Sequence, residues 1–193
     1  MPETLTLDLG SFRPALLLQA RQLYLRLEPR LRPRFDASDV VHDAFVRAQA
    51  NRQSFRGTTD AELIAWLREI LANALLDRID HERAQKRDPA LERSIQGMLA
   101  ESSAGLEVFL ADRTQESPSR AAQGNELQRR LAAAVEQLPA DQRDVVILRD
   151  LMGRPVARIA ARLGRSEKSV AGLLERGRRR LSELLDDLRG DAR

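Results

Sequence analysis

LPADQRDVVILRDLMGRPVARIAARLGRSEKSVAGLLERGRRRLSELL, residues 138–185, is the stretch whose pattern decides the fold. Pro139 stands where a first-turn proline is tolerated, because its missing N–H would have no intrahelical partner. A helix follows on which Val145, Val146, Leu148 and Leu151 share one side, and Gly153 sits where such a helix commonly stops. A second helix starts near Pro155, covers residues 156–163 and ends at Gly164; Ser166 is then placed to cap a third that runs past Leu181. This is helix–turn–helix spacing. Ala160 is small where two helices approach closely, Gly164 can take positive φ in the turn, and Val170 is apolar where the third helix returns to the core. Arg154, Arg158, Arg162, Arg165, Lys168, Arg176, Arg178, Arg179 and Arg180 face only Glu167 and Glu175 as acids, which is the phosphate-binding surround a helix needs to enter a DNA major groove. The plainer alternative is a helical hairpin with a solvated basic face.

Outside this stretch the composition is that of a helical protein. The 193 residues allow one sizeable core or two modest ones joined by a linker. Only 4% are aromatic, while Leu, Ala and Arg dominate, so no sheet is expected. Net charge is +3, yet the sequence pI is about 10.1 because Lys86 and Lys168 are the only lysines among many arginines. The absence of cysteine excludes a disulfide framework, a thiol nucleophile and a thiolate metal site. His42 and His81 are the only histidines and no Gly-rich phosphate loop occurs, so neither catalysis nor a metal or cofactor is expected. The N-terminal residues lack a basic segment followed by an apolar core, and no run approaches a membrane span; the expected location is cytoplasmic.

Residues 13–31 carry Leu17, Ala20, Tyr24, Leu27 and Leu31 at alternating steps of three and four, a helical face ended near residues 28–32 by Pro29 and Pro33. A second helix is expected from Ser38 or Asp39 to about Gln53, with Val40, Val41, Ala44, Phe45 and Ala48 inside and Asp39, His42, Asp43 and Arg47 outside. After the turn-rich QSFRGTTD comes a helix over residues 60–84, opened by Thr59 and Glu62 at capping-box spacing and sewn by Leu63, Leu67, Ile70, Leu71, Ala74, Leu75 and Ile79. Between Lys86 and Asn125 the periodicity weakens into Ser, Gly, Pro and acids around a short apolar cluster, Leu106, Val108, Phe109 and Leu110; it reads as a linker. Helix returns at Asn125, with Leu127, Leu131, Val135 and Leu138 in a stripe. The expected fold is all-α: two small helical bundles, residues 11–86 and 125–188, joined by a flexible linker over 87–124, the second bundle a helix–turn–helix.

DVVHDAF in an early helix, then FRG, AWLREILANALLD, a polar linker, LPADQRDVVILRDLMG and the helix–turn–helix together resemble the extracytoplasmic-function (ECF) sigma factors of bacterial RNA polymerase, of the sigma-70 family. ESPSRAAQGNEL and SVAGLLERGRRRL look most like the group found in planctomycete-type bacteria. The resemblance implies promoter recognition and transcription initiation, with core RNA polymerase (the β′ clamp helices and β flap) and promoter DNA as partners, and it admits an anti-sigma factor.

By this resemblance Asp39, His42, Asp43 and Arg47 contact core polymerase, His42 standing where glutamine is more usual. Helix-dipole complementation is the competing role for Asp39 and Asp43. Phe55, Arg56, Gly57 and Thr58 of the loop, and Asn73, Asp77, Arg78, His81 and Arg83 of the next helix, would hold the melted −10 element. Trp66, beside Leu67 and near Leu63 and Ile70, reads as core rather than as a stacking platform. Arg165, Ser166, Lys168, Ser169, Arg176, Arg178 and Arg179 would serve the −35 element. Here the chain departs from the family pattern: after Val170 come Ala171, Gly172 and Leu173, where a basic residue, a small hydroxyl residue and a second basic residue are common. The first two make no bidentate base contact, so direct readout falls to Arg165, Lys168, Ser169 and Arg176 or is reduced. Two other functions compete, a stand-alone helix–turn–helix transcriptional regulator and a protein-interaction module.

Overall fold

Residues 9–27, 36–83, 89–113 and 121–190 are described by the structure, a computed structural model, and every element among them is a helix or helical turn. The chain divides into two units, Met1–Glu101 and Ser102–Arg193. In the first, a 3₁₀ turn, Leu9–Phe12, leads into α1 (Arg13–Arg26), followed by α2 (Ala37–Ala50), α3 (Asp60–Arg83) and the start of α4 (Pro89–Arg113).

Helix α1 buries Leu16, Ala20, Leu23 and Leu27 in the core: Ala20 and Leu27 lie there as expected, while Leu16 and Leu23 take the places expected for Leu17 and Tyr24, which are half-buried. Three successive leucines, Leu16 to Leu18, make the periodicity indifferent to that shift. Leu27 is the C-cap, and the expected boundary at residues 28–32 lies outside the described residues.

Helix α2 starts at Ala37 because Asp36, in extended conformation, is its N-cap, and the Asp36 N–H donates to Asp39 Oδ2 at 3.0 Å. It ends before the expected Gln53 because Asn51 turns back, its backbone and side-chain N–H groups both donating to the Arg47 carbonyl at 2.9 Å. Val40, Val41, Ala44 and Ala48 are buried as the pattern requires, with Phe45 half-buried beside them. In α3 the capping box forms: Glu62 N–H donates to Thr59 Oγ1 at 3.2 Å, and Glu62 Oε2 accepts from the Thr58 and Thr59 backbone at 2.9 and 3.0 Å. Leu63, Leu67, Leu71, Ala74, Leu75 and Ile79 then line the interface with α1 and α2.

The stretch read as a linker contains α4, 25 residues long. Ile95 is fully buried and Leu99 nearly so in the first unit's core, with Leu91 and Met98 packed against it. These four keep helical spacing, diluted in the sequence by the Ser, Gly and Glu between them. The Leu106–Leu110 cluster falls within α4, but its side chains lie outside the described residues.

The second unit holds α5 (Ala121–Glu136), α6 (Ala140–Val146), a π turn (Ile147–Leu151), α7 (Val156–Leu163) and α8 (Glu167–Gly190). Helix α5 begins four residues before Asn125 and buries Leu131 and Val135; Leu138 follows in the connection to α6. Pro139 acts as the N-cap of α6 rather than its first turn. Arg143 ties the two helices, its Nη1 donating to the Glu136 carbonyl at 3.2 Å. The π turn closes with the Met152 N–H on the Ile147 carbonyl at 3.0 Å, and Gly153 exits at φ +65°. Helix α7 starts after Pro155 and stops at Gly164, φ +63°, and the Ser169 N–H donates to Ser166 Oγ at 3.2 Å. Helix α8 packs on α5, α6 and α7 through Val170, Leu173, Leu174, Leu181 and Leu184. At Gly177 it comes close to α6: a Cβ there would lie 2.9 Å from Val146 Cγ2.

Candidate nucleic-acid interface

The first unit joins two sets of residues that the sequence assigns to different partners. Arg78 Nε donates to Asp43 Oδ2 at 2.6 Å, and Arg47 Nη1 donates to Asp77 Oδ2 at 2.5 Å, so two ion pairs stitch α2 to α3. Arg78 Nη2 also reaches the Asp39 carbonyl at 3.4 Å. The hydrogen bond from Arg78 holds the Asp43 carboxyl below its ordinary range; partial burial opposes this, and the charges of Arg78, Arg47 and His42 reinforce it. Asp39, besides accepting from Asp36, is exposed.

The face of α2 turned to solvent carries Asp39, His42, Val46 and Gln49 at steps of three and four. Val46, 56% exposed, is the large apolar residue on it and is absent from the sequence-derived set. Its signal was its position off the inner stripe of an otherwise regular helix. On α3, Asn73, Asp77 and His81 form an exposed row at steps of four, whereas the Arg83 side chain lies outside the described residues.

The FRG loop is anchored from within. Phe55 packs on Trp66 with ring centroids 5.3 Å apart and planes tilted by 40°, and both rings are half-buried against the core. Trp66 thus takes the packing place read from the sequence, and Phe55 shares it. Gly57 crosses so closely that a Cβ would meet Phe55 Cζ at 2.5 Å and Glu62 Cβ at 2.7 Å. Three hydrogen bonds from Thr58 and Thr59 hold the exposed Glu62 carboxyl below its usual range, the Thr58 backbone N–H contributing most. Arg56 and Thr58 remain exposed on this pinned loop.

In the second unit the expected cations divide into two kinds. Arg165 Nη2 donates to Asp141 Oδ2 at 2.6 Å. Arg178 grips Asp150 with two hydrogen bonds, Nε to Oδ2 at 3.0 Å and Nη2 to Oδ1; the Asp150 side chain is 7% exposed and holds the Arg178 guanidinium above its ordinary pKa. Ser166 is the cap of α8 and Ser169 is half-buried. Lys168, Arg176 and Arg179 are exposed. Arg176 folds back along Gly172, where a Cβ would be 3.3 Å from its Nη1. With Arg179, Arg180, Gln137 and Gln142 it lines an open cleft of about 410 Å³. Leu173 is buried, so it belongs to the core and leaves Ala171 and Gly172 as the small residues of the outer face. The partners Asp141 and Asp150 were not in the sequence-derived set, because only the folded helices bring them to Arg165 and Arg178.

Residues 13–85 match sigma-70 region 2 and residues 128–181 match sigma-70 region 4. The chain is 32% identical over 166 residues to the ECF RNA polymerase sigma factor SigM of Mycobacterium tuberculosis, covering 86% of this chain and 72% of that protein. It is 29% identical over 158 residues to the RNA polymerase sigma factor CnrH of Cupriavidus metallidurans, covering 80% and 75% respectively. Over 153 residues it is 27% identical to the ECF RNA polymerase sigma-E factor of Haemophilus influenzae, covering 74% and 76%.

Proposed function

Since this chain belongs to the ECF sigma factors of the sigma-70 family, we propose that its two units divide the work of transcription initiation between them. The protein binds core RNA polymerase and directs promoter recognition. Residues 11–86 form the region-2 part. The solvent face of α2, Asp39, His42 and Val46, docks on the β′ clamp helices, supported by an exposed apolar side chain flanked by polar ones. Asp43 and Arg47 act from behind that face through their ion pairs to α3. Arg56 and Thr58 of the pinned loop, with Asn73, Asp77 and His81, meet the melted −10 strand.

Residues 125–188 form the region-4 part, which meets the −35 element and the β flap. Lys168, Arg176 and Arg179 take DNA phosphates and base edges, while Arg165 and Arg178 hold α8 in place. The polymerisation chemistry is the partner's, and the site of action is the cytoplasm, where polymerase and promoter are found. Among the described residues no helix is long and apolar enough to cross a membrane.

The observation that carries this reading is the match to regions 2 and 4, in order, on the two units of one chain. A stand-alone regulator needs no region 2, so the same observation weighs against it. Run-off transcription with purified core polymerase and a promoter library tests the reading: specific starts that require the protein are expected. Tight binding to duplex DNA without polymerase, and no starts with it, would sink it.

A further inference from the structure

Between Lys168 and Arg179, helix α8 carries one carboxylate where its other side chains suit an anion. Its buried residues, Val170, Leu173, Leu174, Gly177, Leu181 and Leu184, mark the inner side. At about 100° per residue the opposite side, from Lys168 to Arg179, is formed by Lys168, Ala171, Gly172, Glu175 and Arg179, and Glu175 lies near its middle. Other acids at this surface have work to do. Asp141 holds Arg165, Asp150 holds Arg178, Glu183 holds Arg180, and Glu167 complements the dipole in the first turn of α8. Among the described residues, none forms a hydrogen bond or ion pair with Glu175. Arg179 stands one turn further on, at the spacing where a glutamate preceding an arginine pairs best, yet the two do not pair.

A bare carboxylate in the centre of a face that meets phosphates is repelled by them. It becomes compatible with DNA where it accepts a hydrogen bond. In the major groove the donors are the exocyclic amines, N4 of cytosine and N6 of adenine; guanine and thymine present acceptors there. Ala171 and Gly172, small and on the same side, leave room for the helix to sit deep enough for this side chain to reach a base edge. Lys168 and Arg179, one on each side of Glu175 along the axis, are placed for the flanking phosphates.

We propose that Glu175 is a specificity-determining residue that accepts a hydrogen bond from an amine-bearing base, cytosine or adenine, at one position of the −35 element. The proposal rests on the sigma-factor reading above. It supplies a polar reader to a recognition helix that has Ala171 and Gly172 where polar readers are common.

The test is transcription by core polymerase from templates randomised across the upstream element, sequencing the transcribed templates, with wild type, Glu175→Ala and Glu175→Gln. Wild type is expected to favour cytosine or adenine at one position by about 5- to 150-fold. Glu175→Ala should abolish the preference at that position and leave the others standing, and Glu175→Gln should favour adenine there. Unchanged preferences in Glu175→Ala, or loss confined to a guanine or thymine position, overturns the proposal. So does a uniform rise in usage of all sequences, the mark of a carboxylate that only repels. If wild type enriches no upstream element and yields no specific starts, the sigma-factor reading falls and takes the proposal with it.

Discussion

Helices α3 and α8 are equally long, 24 residues each, and each forms the DNA-facing wall proposed for its unit, but they handle charge in opposite ways. Helix α3 buries a broad face, from Leu63 through Ile79, and two of its candidate DNA residues, Asp77 and Arg78, are tied to α2. Helix α8 buries a narrow stripe. Its Arg178 is tied to Asp150 on the flank, while Lys168, Glu175 and Arg179 stand clear on the outside. A helix buried along a broad face keeps polar groups only at its edges, where neighbouring helices compete for them. A helix buried along one stripe can reserve a whole side for a partner. The basic residues of this chain therefore divide into those that fix a helix and those that it presents, a division that sequence position does not reveal.

Substitutions on each side of that division should have effects of different kind. The largest is expected for Arg178→Ala, which strands a nearly buried Asp150 carboxylate; half-exposure of the arginine discounts the cost to about 2 kcal/mol, read by denaturant unfolding. A loss within the surface range would mean that Arg178 belongs with the presented cations. Val46→Asp should lower affinity for core polymerase roughly tenfold, about 1.4 kcal/mol, without reducing thermal stability, as measured by titration of labelled polymerase.

Arg78→Ala should cost about 1 kcal/mol in the first unit. Its pH dependence has a defined sign. The Asp43 carboxyl is held below its ordinary 3.8 in the folded protein, so its contribution is present above that value and is lost as pH falls through the lowered folded value. Acid unfolding curves should show that limb in wild type and a shallower one in Arg78→Ala. Arg179→Ala should change stability by no more than about 0.5 kcal/mol while reducing the salt slope of promoter binding by about 1.

Much of this architecture is legible in the sequence where punctuation is strong. Pro139, Gly153, Pro155, Gly164 and Ser166 locate the turns of the second unit to within a residue or two, and both glycines take the positive φ that lets only glycine sit there cheaply. Thr59 and Glu62 likewise locate the start of α3. Helix α4 was hidden because Leu91, Ile95, Met98 and Leu99 are separated by residues that also compose loops. The stripe of α1 was displaced at Leu17 and Tyr24, though not at Ala20 and Leu27, because a run of leucines satisfies two registers equally. Exposure of Lys168, Arg176 and Arg179 follows from their place on a helix whose apolar side is unambiguous. The pairings Asp43–Arg78, Arg47–Asp77, Asp150–Arg178 and Asp141–Arg165 do not follow, since each joins residues 24 or more positions apart. The π turn carries no local signature in its five residues, Ile147–Leu151.

The most direct test of a division of labour between the two units measures polymerase affinity and upstream base preference together, for wild type, Val46→Asp and Arg179→Ala. Separable effects are predicted: Val46→Asp weakens polymerase binding and leaves the base preferences of the transcripts it still starts, whereas Arg179→Ala leaves polymerase affinity and weakens promoter use. If each substitution shifts both quantities to the same degree, the units act as one surface and the division proposed here is wrong.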